Sequence, residues 1–263
     1  MTRKLPLQLL MLFAFTLLFI SCSDEDEKTF PFSHLHLNFF EHFHPNEREM
    51  VFFLQTNETF PCNNFLISTS VEQTPGVLEI HADNLDIPNI CITSIGPATR
   101  SLFLGETDQL PRKVIFWVKE DKHDFDMNIH QGFINVKRHS EAIGRLSFSR
   151  DTLMRIPDNT VWGYVVKEKE KKVHSREKLM DEFMAHGAQP LTLEDGDYHY
   201  FEVEEEDVVF HSHDLNEKTQ GFAFWFDKEL DLLFDAFQQY AEENEQMELR
   251  IRLFNTRGER IFR

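Results

Sequence analysis

From Ser33 onward the chain alternates, with His34, His36 and Asn38 set against Leu35, Leu37 and Phe39. A period of two belongs to a β-strand, whose successive side chains leave on opposite faces, and it is incompatible with the apolar stripe of a helix. The same character continues downstream. Met50–Leu54 is an unbroken apolar run, as expected of a strand covered on both faces. Further short strands are predicted at Phe65–Ser68, Val77–His81, Ile90–Ile95, Ser101–Leu104, Val114–Val118, Asp126–His130 and Gly132–Val136. Turn signals punctuate them at Thr74-Pro75-Gly76, Ile87-Pro88-Asn89, Gly96-Pro97 and Leu110-Pro111. No helical period is sustained between Asn46 and Ser147. Residues 32–148 are therefore expected to form an antiparallel β-sandwich-like domain.

After Phe148 the pattern changes. Val161–Val166 reads as a strand with Trp162 and Tyr164 on one face and Val161 and Val165 on the other. Ser175 has the chemistry of an N-cap for a helix carrying Leu179, Met180, Phe183 and Met184 and closed by Gly187. Strands follow at Tyr198–Glu204, Val208–His211 and Phe222–Phe226. Asp227 is the expected cap of a second helix, in which Leu230, Leu233, Phe234, Phe237 and Ala241 recur at helical spacing. Met247, Leu249, Ile251 and Leu253 alternate up to a turn at Thr256-Arg257-Gly258. Strand, helix, strands, helix, strand is the order of an α+β layer, so residues 149–263 are read as an α+β domain with two helices on a mixed sheet. The chain as a whole is expected to be mainly β. Its Phe-rich helix and strand faces are read as core.

Charge excludes one class of partner. With 45 acidic against 27 basic residues the 263-residue chain carries a formal −18, and a body this acidic repels phosphate backbones. No nucleic-acid partner is expected.

The first thirty residues address compartment. Arg3 and Lys4 precede an apolar run from Leu9 to Ile20, the length of a signal-peptide core rather than of a bilayer span. Phe19-Ile20-Ser21-Cys22 resembles the lipobox of bacterial lipoproteins, with Phe19 where that family prefers Leu. The resemblance implies a signal peptide over 1–21, with Cys22 as the acylated first residue of the mature chain. Several acyl chains on one residue suffice for stable attachment. Ser23-Asp24-Glu25-Asp26-Glu27 opens an acidic tether over 22–31 and resembles the stretch after the lipidated Cys in surface-exported lipoproteins of the Bacteroidetes group. Pro61-Cys62-Asn63, Ile90-Cys91-Ile92 and Gly96-Pro97-Ala98 are similar to a group of Bacteroidetes lipoproteins with a Cys pair in an N-terminal β domain. That similarity implies a secreted β-rich lipoprotein and says nothing of an activity. With Cys22 acylated, Cys62 and Cys91 remain as an even pair in an oxidising compartment. A disulfide closing a loop of ~30 residues is expected, two buried thiols being the alternative.

Three His-x-His pairs carry metal-ligand chemistry: His34/His36, His42/His44 and His211/His213, the last followed by Asp214. Residues i and i+2 of a strand share a face, so two imidazoles project together, but a site needs further ligands from elsewhere. His211, His213 and Asp214 are the first candidates for a divalent metal. Solvated positions opposite the core are the competing reading. Phosphate-binding loops, nucleophile elbows and zincin motifs are absent from the sequence. No catalytic residue is assigned and no cofactor is required. The expectation is a membrane-anchored outer-membrane lipoprotein, exposed at the surface or the periplasmic face. Its role would be a non-catalytic binding or structural module for an envelope or extracellular protein or a glycan. An envelope hydrolase or metal-binding protein using His and carboxylate groups is the alternative.

Overall fold

Leu35, Leu37 and Phe39 are fully buried and the residues between them half-buried, so the period of two seen in the sequence is the in–out pattern of a strand. That strand, β1 (Leu35–His44), is one of ten in a single mixed sheet. The computed structural model describes residues 32–45, 47–139, 145–167, 172–173, 177–211, 218–243 and 249–262. Residues 32–263 group into one compact unit. Cys22, the signal-like run and the acidic tether lie outside the described residues.

The other strands of the large sheet are β2 (Glu47–Phe60), β3 (Leu66–Thr74), β4 (Val77–Asp86), β5 (Gly96–Glu106), β6 (Lys113–Val118), β7 (Asp121–Ile129), β8 (Phe133–Arg138), β9 (Leu146–Phe148) and β10 (Thr152–Met154). Their order is β10-β8-β7-β6-β4-β3-β5-β2-β1-β9. Most pairings are antiparallel, as expected, but β1/β9, β3/β5 and β4/β6 run parallel. Only residues 149–151 separate β9 on one edge from β10 on the other, so the sheet curls until its edges meet. Curling covers the face carrying Phe52, Ile80, Phe116 and Phe125, all essentially buried.

One expected strand is absent. Residues 88–95 form bends rather than a strand, and Ile90, Ile92 and Ile95 are exposed. Pro88 lacks an amide hydrogen, and the neighbouring backbone is drawn off to other partners: the Asn64 side chain donates to the Ile90 carbonyl at 2.7 Å and accepts from the Ile92 amide at 3.2 Å. Cys62 and Cys91 are joined in a disulfide with Cα atoms 5.2 Å apart, as expected from the cysteine count.

The C-terminal part is α+β. It contains β11 (Thr160–Lys167), β12 (Lys172–Val173), α1 (Glu177–Ala185), β13 (Gln189–Pro190), β14 (Gly196–Asp197), β15 (Glu202–Glu204), β16 (Asp207–His211), β17 (Lys218–Gln220), β18 (Phe222–Trp225), α2 (Leu230–Glu243), β19 (Leu249–Asn255) and β20 (Arg260–Phe262). One sheet runs β13-β18-β11-β19-β20 with β12 against β11, and a second runs β14-β15-β16-β17. β11 is the divider. Val161 and Val165 join the helices in a core with Phe183, Phe224, Leu233 and Phe237, while Trp162 and Tyr164 join Phe43, Phe201 and Phe210 on the other side. α1 ends as its sequence predicts: Gly187 has φ +104° and its amide bonds the Met184 carbonyl. Ser175 lies outside the described residues. Asp227 does not cap α2, which begins at Leu230. The first-turn bond runs from the Leu232 amide to the Glu229 carbonyl, placing the cap beside Glu229.

The C-terminal part packs against the large sheet where β1 has a free edge. β9 pairs with β1 only at Leu35–Leu37, and among the described residues no strand lies beside Phe39–His44 on that side. The Tyr200 hydroxyl donates to the Glu41 carbonyl at 2.9 Å there, and the turn after β19 presses Gly258 against the Phe43 carbonyl.

Candidate functional site

The inward face of β1 reads Leu35, Leu37, Phe39, Glu41, Phe43. Glu41 is thus a carboxylate at a core position, 4% exposed. Burying an ionised carboxylate is costly unless it is paired and hydrogen-bonded. Arg155, which follows β10 in the connection to β11, supplies the pair: its Nε and Nη2 both donate to Glu41 Oε1, at 3.1 and 2.9 Å. Arg48, from the start of β2, donates to Glu41 Oε2 at 3.3 Å and also reaches Asp158. Arg155 further donates to the His130 carbonyl at 3.0 Å and pairs with Asp108 at 2.9 Å. Burial works against the Arg155 charge, but hydrogen bonds to Glu41 and Asp108 outweigh it and hold its pKa above the ordinary arginine value.

Above this network lies a two-lobed cleft. One lobe, of about 490 Å³, is lined by the turn between β1 and β2 and by Asp158 and Arg257; the other, of about 510 Å³, by Gln131, Gly132 and Arg155–Asp158. Arg48, Asp108 and Asp158 border both. Guanidinium groups form the floor, while Asp108 and Asp158 are largely exposed at the rim. Arg257 is held by the carbonyls of Asp227 and Lys228 and by the Glu259 carboxylate. The basic groups of the cleft are therefore already engaged, and the rim facing solvent is anionic. Such a surface receives a cationic or neutral hydrogen-bonding group and disfavours a phosphate or sulfate.

No family model, no curated protein and no solved structure matches this chain. What the cleft does must be read from its own chemistry.

The sequence reading did not single out Glu41, Arg155 or Arg48. A signal was present, because Glu41 is the one ionisable residue in the apolar register of β1, but its partners lie far along the chain. The residues that were singled out are distributed otherwise. His213 and Asp214 lie outside the described residues, and His211 ends β16 opposite Lys218. His34 bonds Ser33, and His36 bonds Ser147 at 3.0 Å on the outward face of β1. His42 and His44 do share a face, with ring centroids 4.7 Å apart, and His44 is bonded to Glu49. Burial and the neighbouring His44 hold His42 below the ordinary histidine pKa. Among the described residues no group of three or more His, Cys, Asp or Glu converges to hold a metal ion.

A half-buried ionisable group lies close by. His199, in the turn between β14 and β15, stacks on Phe40 at 3.8 Å with near-parallel rings. Burial, helped by the adjacent Arg150 and opposed by Asp197, lowers its pKa to about 4, so the stacked ring is neutral. It therefore acts as an aromatic wedge between the large sheet and the four-stranded one.

Proposed function

We propose that this chain is an envelope lipoprotein, anchored through Cys22, whose body is a non-catalytic binding module for a protein segment or glycan. The observation that carries the binding reading is the pairing inside the cleft. Glu41, Arg48, Arg155, Asp108 and Asp158 form one network of two guanidiniums and three carboxylates, so each side chain is held in place by its partners. Polar groups held at fixed positions suit recognition of hydroxyls and amides, which need orientation more than net charge. The Cys62–Cys91 disulfide supports export, since disulfides persist in oxidising compartments. The lipobox-like segment and the acidic run after Cys22 support the anchor. Among the described residues no helix is long and apolar enough to cross a membrane.

Protease shaving of intact cells tests the placement, using wild type beside Cys22→Ala with an inner-leaflet lipoprotein as control. Loss of the wild type with the control intact is expected for a surface-exposed, anchored body. A protected wild type, with Cys22→Ala released in soluble form, would move the protein to the periplasmic face. Equal behaviour of wild type and Cys22→Ala would overturn the anchor.

A further inference from the structure

Four isoleucines stand out at one end of the large sheet. Ile87, Ile90, Ile92 and Ile95 are 47%, 80%, 57% and 79% exposed. From Ile87 to Thr99 there is no charged residue, in a chain of which 27% is charged. The display is braced. The disulfide ties Cys91 to Cys62, Asn64 grips the backbone on both sides of Cys91, and the Ser94 amide bonds the Ile92 carbonyl at 2.7 Å. Holding a cluster of aliphatic side chains rigidly in water is unfavourable, and such a patch on a soluble surface marks a contact with an apolar partner.

The position of the loop says which partner. The described chain enters the body at Phe32 and Ser33, and the Ser33 amide and hydroxyl both donate to Glu58 near the end of β2. The Asn57 amide donates to the His34 carbonyl, and Phe60, two residues beyond Glu58, pairs with Gly96, the residue after Ile95. The entry point and the isoleucine loop thus share one end of the sheet. Phe32 lies ten positions after Cys22, a span of at most about 35 Å when fully extended. A body held by so short a lead turns the end bearing its entry point toward the membrane.

We propose that the Ile87–Ile95 loop is a second membrane contact, inserting its isoleucines into the bilayer that holds the acyl chains of Cys22. The proposal rests on the lipid-anchor reading above. The loop carries no cation and the chain has a formal charge of −18, so the lipid it meets is zwitterionic rather than anionic. Interfacial insertion reaches about 5–10 Å, a depth open to the tip of a loop, and it turns a single flexible tether into a two-point attachment that fixes orientation. Four exposed isoleucines by themselves fall well short of the about 800 Å² per partner of a stable protein interface, whereas a bilayer accepts a small tip.

The test uses the full-length protein reconstituted into phosphatidylcholine vesicles with dibrominated acyl chains, with the mass of its N-terminal peptide determined. Ile90→Trp is expected to add a blue-shifted emission that is lost in brominated relative to unbrominated vesicles. Phe103→Trp, exposed on β5 about 23 Å along the strand from Gly96, is expected to keep its emission. Ile95→Trp repeats the reading if Ile90→Trp fails to close the disulfide. Unquenched emission from the loop tryptophans of an acylated, vesicle-bound protein overturns the loop contact and leaves the anchor intact. Blue-shifted emission without quenching assigns the loop to a protein surface, such as a second copy, and overturns the proposal equally. An unacylated Cys22 overturns the anchor and the loop contact together, and the peptide mass tells this failure from the others.

Discussion

Glu41 and Arg155 lie 114 residues apart in sequence and share two hydrogen bonds to a single carboxylate oxygen, both side chains nearly out of contact with water. The pair joins β1 to the segment that leads into the C-terminal part. Removing one partner of a buried pair leaves an uncompensated charge, which costs about 3–5 kcal/mol. Glu41→Ala is expected to lower stability by that order, read as a drop in the urea midpoint. Glu41→Leu combined with Arg155→Met is expected to recover most of the loss, because apolar side chains of similar volume avoid the desolvation penalty. A double variant as unstable as Glu41→Ala would contradict this account.

Gly258 should not tolerate a side chain. Its φ is +78°, and a Cβ there would lie 2.4 Å from the Phe43 carbonyl oxygen. Gly258→Ala combines backbone strain of about 1–3 kcal/mol with a clash against main chain that cannot rotate away. Thermal unfolding of this variant is expected to show a clear fall in Tm, whereas Gly76→Ala, with a similar φ of +87° but open space around it, falls less.

His199 makes stability depend on pH. Its folded pKa of about 4 lies below the unfolded value of 6.5, so between these limits the unfolded chain binds more protons and stability rises with pH. The contribution is present in full above pH 6.5 and is lost as pH falls toward 4, by about 3 kcal/mol at the limit. His199→Asn, chosen because Asn tolerates the positive φ of 68° at this position, is expected to flatten the slope of urea midpoint against pH over that window. An unchanged slope would assign the pH dependence to other groups.

The disulfide is expected to matter for stability. Cys62 and Cys91 are 29 residues apart, and closing a loop of ~30 residues stabilises by ~3–4 kcal/mol in the chain-entropy model. Each kcal/mol corresponds to about 2–4 °C in Tm for a body of this size. Reduction should lower Tm accordingly, and iodoacetamide should label neither cysteine in the native, unreduced protein.

Much of the architecture was legible residue by residue. The two faces of β11 separated as read, Val161 and Val165 toward the helices and Trp162 and Tyr164 toward the other core. Leu230, Leu233 and Phe237 of the expected stripe are buried on α2, and the Thr256–Gly258 turn lies where its residue types place it. The Ile90–Ile95 segment misled because its alternation is that of a strand, although a disulfide and an asparagine side chain hold it as an exposed loop. The cleft was not legible at all. Glu41 was visible as a misfit in an apolar register, but nothing local to it points to Arg155.

Sequence alone determined the elements whose signals are short-range: strand alternation, helical stripes and the glycine that ends α1, together with an acidic net charge. These follow from backbone geometry and composition, which act within a few residues. The tertiary structure decided which strands run parallel, how the sheet edges meet between β9 and β10, and which arginines close over Glu41. Those outcomes depend on burial shared among residues tens to more than a hundred positions apart, and the cost of an unpaired buried charge selects among partners only once the chain has brought them together.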